Sequence, residues 1–148
     1  MANDHHSLTV KHRCKLGQTV FMLLHLDPHT RIRQLNRLLA LQFPFIKLEF
    51  YHYKSKMQPL VKMPEQATLA EVNPAFSPGK LTISAHDTVA DVEHRFSAHH
   101  QLEAQVLRKS GDVWLLTTHT DNLEIEQQNH MGSAASRPFR TNWNALFL

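Results

Sequence analysis

The run HDTVADVEHRF, residues 86–96, decides how this chain is read. Thr88 stands where a helix N-cap belongs and Asp91 follows three residues later, a capping-box-like pair that can satisfy free N–H groups at a helix start. Val89, Val92 and Phe96 then recur at a spacing that places them on one helix face. Earlier in the chain, behind Asp27-Pro28-His29-Thr30, Ile32, Leu35 and Leu39 hold the same spacing, so that Ile32 corresponds to Val89. Thr30 is the expected cap there, Arg33, Asn36 and Arg37 fall on the opposite face, and Pro44 ends the helix. One amphipathic helix is therefore written twice.

The flanking sequence repeats as well. Ahead of the first helix, Leu8 to Cys14 alternates in polarity, Lys15-Leu16-Gly17-Gln18 reads as a turn, and Thr19 to Leu26 is an almost continuously apolar strand expected to be central. Ahead of the second helix stands a strand at Leu81 to Ala85. After the helices, Ile46, Leu48 and Phe50 alternate with Lys47, Glu49 and Tyr51, and Ala104, Val106 and Arg108 do the same. A looser strand is expected around Met57 to Lys62. Ser110-Gly111-Asp112 should turn the chain into a hairpin partner at Val113 to Thr118. Finally Thr68-Leu69-Ala70-Glu71-Val72-Asn73 lies over Glu124-Ile125-Glu126-Gln127-Gln128-Asn129, at an offset one short of that between the helices. Two copies are too few for a solenoid, so the pattern reads as duplication.

The first copy, about residues 8 to 84, resembles ubiquitin and its relatives in its hairpin with a Leu-Gly turn, its helix across a sheet and its "TLAEVN" segment before a last strand. The second, about residues 80 to 129, matches only in part because it lacks the opening hairpin. The resemblance implies an α+β chain of two fused β-grasp units, each a sheet with one helix packed across it. The expected division is a disordered N-terminus at 1–7, a first unit at 8–79, a second partial unit at 80–130, and a tail at 131–148 that is either an added strand or disordered. The runs "FPFIKLEF", "TVADVEHRF" and "QVLRKSGDVWL" also resemble those of a family of small, uncharacterised bacterial proteins, which implies no activity.

Composition narrows the function classes. The chain has 148 residues, 42% of them hydrophobic, and no apolar run near the roughly 18 residues of a membrane span. Met1 to Ser7 lacks the apolar region of a secretory signal, and the single cysteine, Cys14, excludes an internal disulfide; both point to a reducing, cytoplasmic setting. Residues 1–79 carry ten Lys and Arg against five Asp and Glu, net +5, and residues 80–148 six against eight, net −2.

No catalytic, cofactor or metal constellation emerges. His12 and Cys14 share a strand face, but no C-x-x-C or H-E-x-x-H spacing accompanies them, and His94 with His99 or His100 misses the i, i+4 spacing of two ligands on one helix face. Cys14 has Lys15 beside it, yet reads as a structural cysteine, and the four glycines stand isolated rather than in a phosphate loop. The expected function is a non-catalytic module that binds a protein partner, with Arg108, Lys109 and Trp114 as the candidate contact residues because Trp and Arg dominate interface hot spots. Trp114 also suits an ordinary core position. One alternative is a ubiquitin-like modifier processed near Gly132, although the Gly-Gly end of such modifiers is missing and His130-Met131-Gly132-Ser133 also resembles a cloning-site run. The other is binding of RNA or single-stranded nucleic acid, or of an acidic partner, through Lys11, Arg13, Arg33, Arg37, Lys54 and Lys56, with Arg31 nearby and Tyr51 and Tyr53 for stacking.

Overall fold

In the computed structural model, which describes residues 21–52 and 60–137, both expected helices are present and their flanking strands pair across the repeat. The order is β1 (Phe21–Leu26), α1 (Ile32–Gln42), β2 (Ile46–His52), β3 (Val61–Lys62), α2 (Leu69–Val72), β4 (Gly79–Ser84), α3 (Val89–His100), β5 (Glu103–Ser110), β6 (Val113–Leu116) and α4 (Ile125–Ala135), with a 3₁₀ turn at Thr118–Thr120. Among the described residues this is an α+β fold with four α-helices and two antiparallel sheets. The hairpin strand expected at Leu8 to Cys14 and the start of the strand expected at Met57 lie outside the described residues.

The helix starts are built alike. In α3, Thr88 Oγ1 accepts from Asp91 N and Asp91 Oδ2 accepts from Thr88 N, both at 3.1 Å, as the sequence predicts. In α1 the cap falls one residue later than expected, on Arg31, whose N donates to Gln34 Oε1 at 2.7 Å. The Asp27 side chain takes up the Thr30 N–H at 3.1 Å, and Thr30 Oγ1 accepts from Asp27 N at 3.3 Å, so the turn consumes the threonine. Each helix start also grips the capped segment that ends its own copy. Ile32 N donates to Ala67 O and Val89 N to Leu123 O, while Leu69 N donates to Thr30 O and Ile125 N to Asp87 O.

That final segment differs in length. In the first copy it forms the single turn of α2, and in the second it continues as the eleven-residue α4. The start of the expected tail, 131–148, is corrected accordingly: Met131 to Ala135 complete α4, and residues 138–148 lie outside the described residues. The helix is carried through Gly132 because that glycine lets it lie close on the sheet. A Cβ there would sit 2.7 Å from Phe45 Cβ and 3.1 Å from Lys109 O.

The sheets are shared between copies. Among the described residues β1 of the first copy pairs with β4 of the second, and the larger sheet runs β3-β2-β5-β6, so β2 lies against β5. Leu24 is directly opposite Leu81, its own counterpart in the second copy. Leu48 is opposite Val106, its counterpart once the extra left-handed residue Gln101 (φ 52°) that closes α3 is allowed for. A pseudo-two-fold relation thus passes through the β1–β4 and β2–β5 ladders, which join the two copies. Ile46, Leu48, Phe50, Ala104 and Val106 face the helices, where Phe50 and Phe96 meet edge to face at 5.3 Å between ring centroids.

Candidate interaction surface

The far face of the larger sheet carries the residues that alternate with this core. From β2 come Lys47, Glu49 and Tyr51, from β5 Leu107 and Lys109, and from β6 Trp114 and Leu116. The β5–β6 hairpin turns through Gly111-Asp112, with Gly111 at φ +61°, the left-handed conformation such two-residue turns need. Its register sets Trp114 opposite Lys109 and Leu116 opposite Leu107. Lys47 Nζ lies 5.1 Å from the centre of the Trp114 ring, within cation–π range.

Charge on this face is largely paired. Glu49 Oε1 is 2.5 Å from Lys62 Nζ and 3.6 Å from Lys47 Nζ, and Tyr51 Oη donates to Glu49 Oε2 at 3.0 Å. Burial alone would raise the Glu49 carboxyl, but the bonds from Lys62 and Tyr51 and the two ammonium charges outweigh it and hold the group below its ordinary value. Burial and the bond to that carboxylate push the Tyr51 phenol up.

Of the three sequence-predicted contact residues, the structure brings two together. Lys109 and Trp114 are neighbours on the far face, whereas Arg108 projects from the other face toward α4. There its Nη1 donates to Gln128 Oε1 at 2.9 Å and touches Met131 Sδ at 3.5 Å. Gln128 in turn donates from Nε2 to Thr120 O and Thr120 Oγ1. Arg108 therefore fastens α4 to the sheet. Gly132 sits inside the same helix, buried against Phe45 and Arg108.

The basic patch is assembled only in part. Arg33 and Arg37 are exposed on the outer face of α1, and Arg31 is held by donating to Gln66 O at 2.7 Å. Lys11, Arg13, Lys54, Lys56 and Tyr53 lie outside the described residues, as do His12 and Cys14. Among the described residues no three His, Cys, Asp or Glu side chains group as metal ligands, and no helix is long and apolar enough to cross a membrane.

What the sequence reasoning missed is the exposure of β6 itself. Val113 is 56% exposed, Leu115 41% and Leu116 57%, and Met131 of α4 is exposed beside Arg108. The signal was present: Val-Trp-Leu-Leu does not alternate, so an edge strand with this sequence must show apolar side chains on both faces. Leu48 N and O both turn to Asn36 and Val106 N turns to Glu93, away from the β2–β5 interface. The antiparallel alternation then directs Arg108 toward Leu115 and leaves the N–H and C=O of Trp114 and Leu116 on the outer side of β6. Among the described residues β6 has a strand neighbour only in β5. No protein-family model, curated protein or solved structure matches the chain.

Proposed function

We propose that this protein is a non-catalytic protein-interaction module, built from two copies of a β-grasp-like unit, that receives an extended apolar segment of a partner as an added strand on β6. The β-grasp reading rests on the repeated order of strand, helix, strand and capped turn. The observation that carries the functional reading is the outer edge of β6, where backbone groups of Trp114 and Leu116, without a strand partner among the described residues, stand between exposed apolar side chains on both faces. Strand addition uses those two features together: backbone hydrogen bonds give affinity, and alternate side chains on either face give specificity. Trp114, stacked with Lys47 and flanked by Lys109, supplies an aromatic anchor beside the edge.

The test is a comparison of wild-type protein with the double variant Val113→Lys/Leu116→Lys, since lysine on an edge strand opposes pairing without altering a buried position. Co-purification from the native host at physiological salt is expected to recover a stoichiometric partner with the wild type and none with the variant. Sedimentation of the wild type alone distinguishes a second copy of the chain as the occupant. An equal yield of the same partner with both proteins would remove β6 as the docking strand.

A further inference from the structure

The duplication makes each copy a control for the other, and one region departs from that control in a chemically directed way. In the register that sets Ile32 over Val89, Leu23, Leu38, Gln42 and Phe43 of the first copy correspond to Lys80, Arg95, His99 and His100 of the second. In the first copy Phe43 belongs to the core and Leu38 packs against it. In the second, the corresponding positions line a cleft of about 330 Å³ between β4 and α3, together with Thr82, Ser84 and Asp87. Apolar residues at three of the four positions, Leu23, Leu38 and Phe43, are thus replaced by Lys80, Arg95 and His100 around a space in the second copy.

The cleft is organised. Arg95 Nη1 and Nη2 donate to the Asp87 carboxylate at 2.5 and 2.8 Å, and Nη1 also donates to Thr82 O at 2.9 Å. Asp87 Oδ2 accepts from Ser84 N at 2.7 Å, so the pair also engages two backbone groups of β4, Ser84 N and Thr82 O. Three of the five guanidinium N–H groups are thereby used, and Nε–H and one Nη2–H are left. His100 is only 6% exposed. Its Nδ1 lies 2.8 Å from Ser77 O, a carbonyl that can only accept, so Nδ1 donates there and Nε2 is left as an acceptor. Lys80 and His99 are exposed at the rim. Asp87 offsets Arg95, which leaves the charge of Lys80 uncompensated among the lining groups.

We propose that this cleft binds a small organic phosphate monoester, with the phosphoryl group between Lys80, Arg95 and Thr82 and a hydroxyl of the organic portion donating to His100 Nε2. The cationic balance selects an anion. A planar carboxylate is best recognised by two parallel bonds from one guanidinium, and Asp87 already takes that fork. The remaining donors, Lys80 Nζ, the leftover Arg95 N–H groups and the Thr82 hydroxyl, come from separate side chains, which suits a tetrahedral group with three oxygens. The cleft of about 330 Å³ leaves room beside a phosphoryl group, and the acceptor at His100 Nε2 calls for a ligand O–H, which an organic portion bearing a hydroxyl supplies.

The experiment is an amide-resolved NMR titration of the full chain with glycerol 3-phosphate, inorganic phosphate and glycerol in turn, at physiological salt. Glycerol 3-phosphate is expected to give saturable shifts confined to Lys80–Ser84 and Arg95–Gln101, at least fivefold tighter than inorganic phosphate, with no response to glycerol. Lys80→Met, at an exposed position, should weaken binding about tenfold, and His100→Phe, which restores the residue of the first copy, should lower the affinity to that of inorganic phosphate while the rest of the spectrum is kept. Equal affinity for inorganic phosphate would overturn the organic class of ligand. Shifts centred on Arg33 and Arg37, or unchanged affinity in both variants, would overturn the site.

Discussion

Leu48 and Val106 face each other across the β2–β5 ladder, and each is bound from outside by the same position of its own helix. Asn36 of α1 donates from Nδ2 to Leu48 O at 2.9 Å and accepts from Leu48 N at 2.7 Å, and Glu93, the counterpart of Asn36 in α3, accepts from Val106 N at 2.9 Å. These side chains stand in for a neighbouring strand. Replacing Asn36 by Ala leaves the Leu48 N–H and C=O without those partners, at a cost of about 1–3 kcal/mol. Urea denaturation of Asn36→Ala should show that loss as a lower midpoint at unchanged slope.

Glu93 and Asp87 are predicted to respond to pH in opposite directions. Burial raises the Glu93 carboxyl, repulsion from Asp121 and Glu103 adds to it, and the bond from Val106 N only partly opposes them. A carboxyl raised in the folded state adds stability below its unfolded value and loses it as pH rises through the folded value. Glu93→Gln, which keeps an acceptor for Val106 N, should therefore gain on wild type as pH climbs above the carboxylate range.

For Asp87, burial alone would raise the group, but the bonds from Arg95 and Ser84 N hold it below its ordinary value. Its contribution is present above the unfolded value and lost as pH falls through the folded one. Asp87→Asn should thus be destabilising near neutral pH and approach wild type in acid. Melting temperatures of both variants from acid to neutral pH check the two signs; parallel curves would contradict them.

Gly132→Ala is expected to destabilise the protein by about 1–3 kcal/mol although alanine is the better helix former. The added Cβ would meet Phe45 Cβ at 2.7 Å and Lys109 O at 3.1 Å, groups close to or within the backbone of the sheet. The exposed Ala134→Gly change in the same helix should cost only about 0.5–1 kcal/mol. Chemical denaturation of the two variants measures the contrast, and if Gly132→Ala proved as stable as wild type, α4 would not lie where it is described.

Trp114→Ala should separate binding from folding. The ring is partly exposed and its described contact is with Lys47, so stability should fall by no more than about 1–2 kcal/mol. Partner affinity, if Trp114 anchors the added strand, should drop at least tenfold, about 1.4 kcal/mol or more. Titration calorimetry with the recovered partner reads the second number.

The helices and core were legible because Ile32, Leu35 and Leu39 and their counterparts Val89, Val92 and Phe96 obey one period and are all buried. Strand pairing was not. Alternation in β1, β2, β4 and β5 tells which side chains turn inward, but no local signal says that β1 takes β4 and β2 takes β5, because that choice is made by long-range packing. Arg108 was separated from Lys109 and Trp114 by the same alternation that had been used to find the strand. The α4 helix was hidden by Gly132, a residue that weakens a helix in isolation and is explained only by the closeness of Phe45 and Lys109. Arg95 and Asp87, on α3 and in the turn before it, come together only once α3 is laid along β4.

Amide hydrogen exchange across β6, free and in the presence of the recovered partner, tests the proposed function most directly. The N–H groups of Trp114 and Leu116 lie on the outer edge and those of Val113 and Leu115 face β5. Strand addition predicts that Trp114 and Leu116 exchange quickly in the free protein and become strongly protected in the complex. Unchanged exchange at those two amides while the partner is bound would contradict docking on β6.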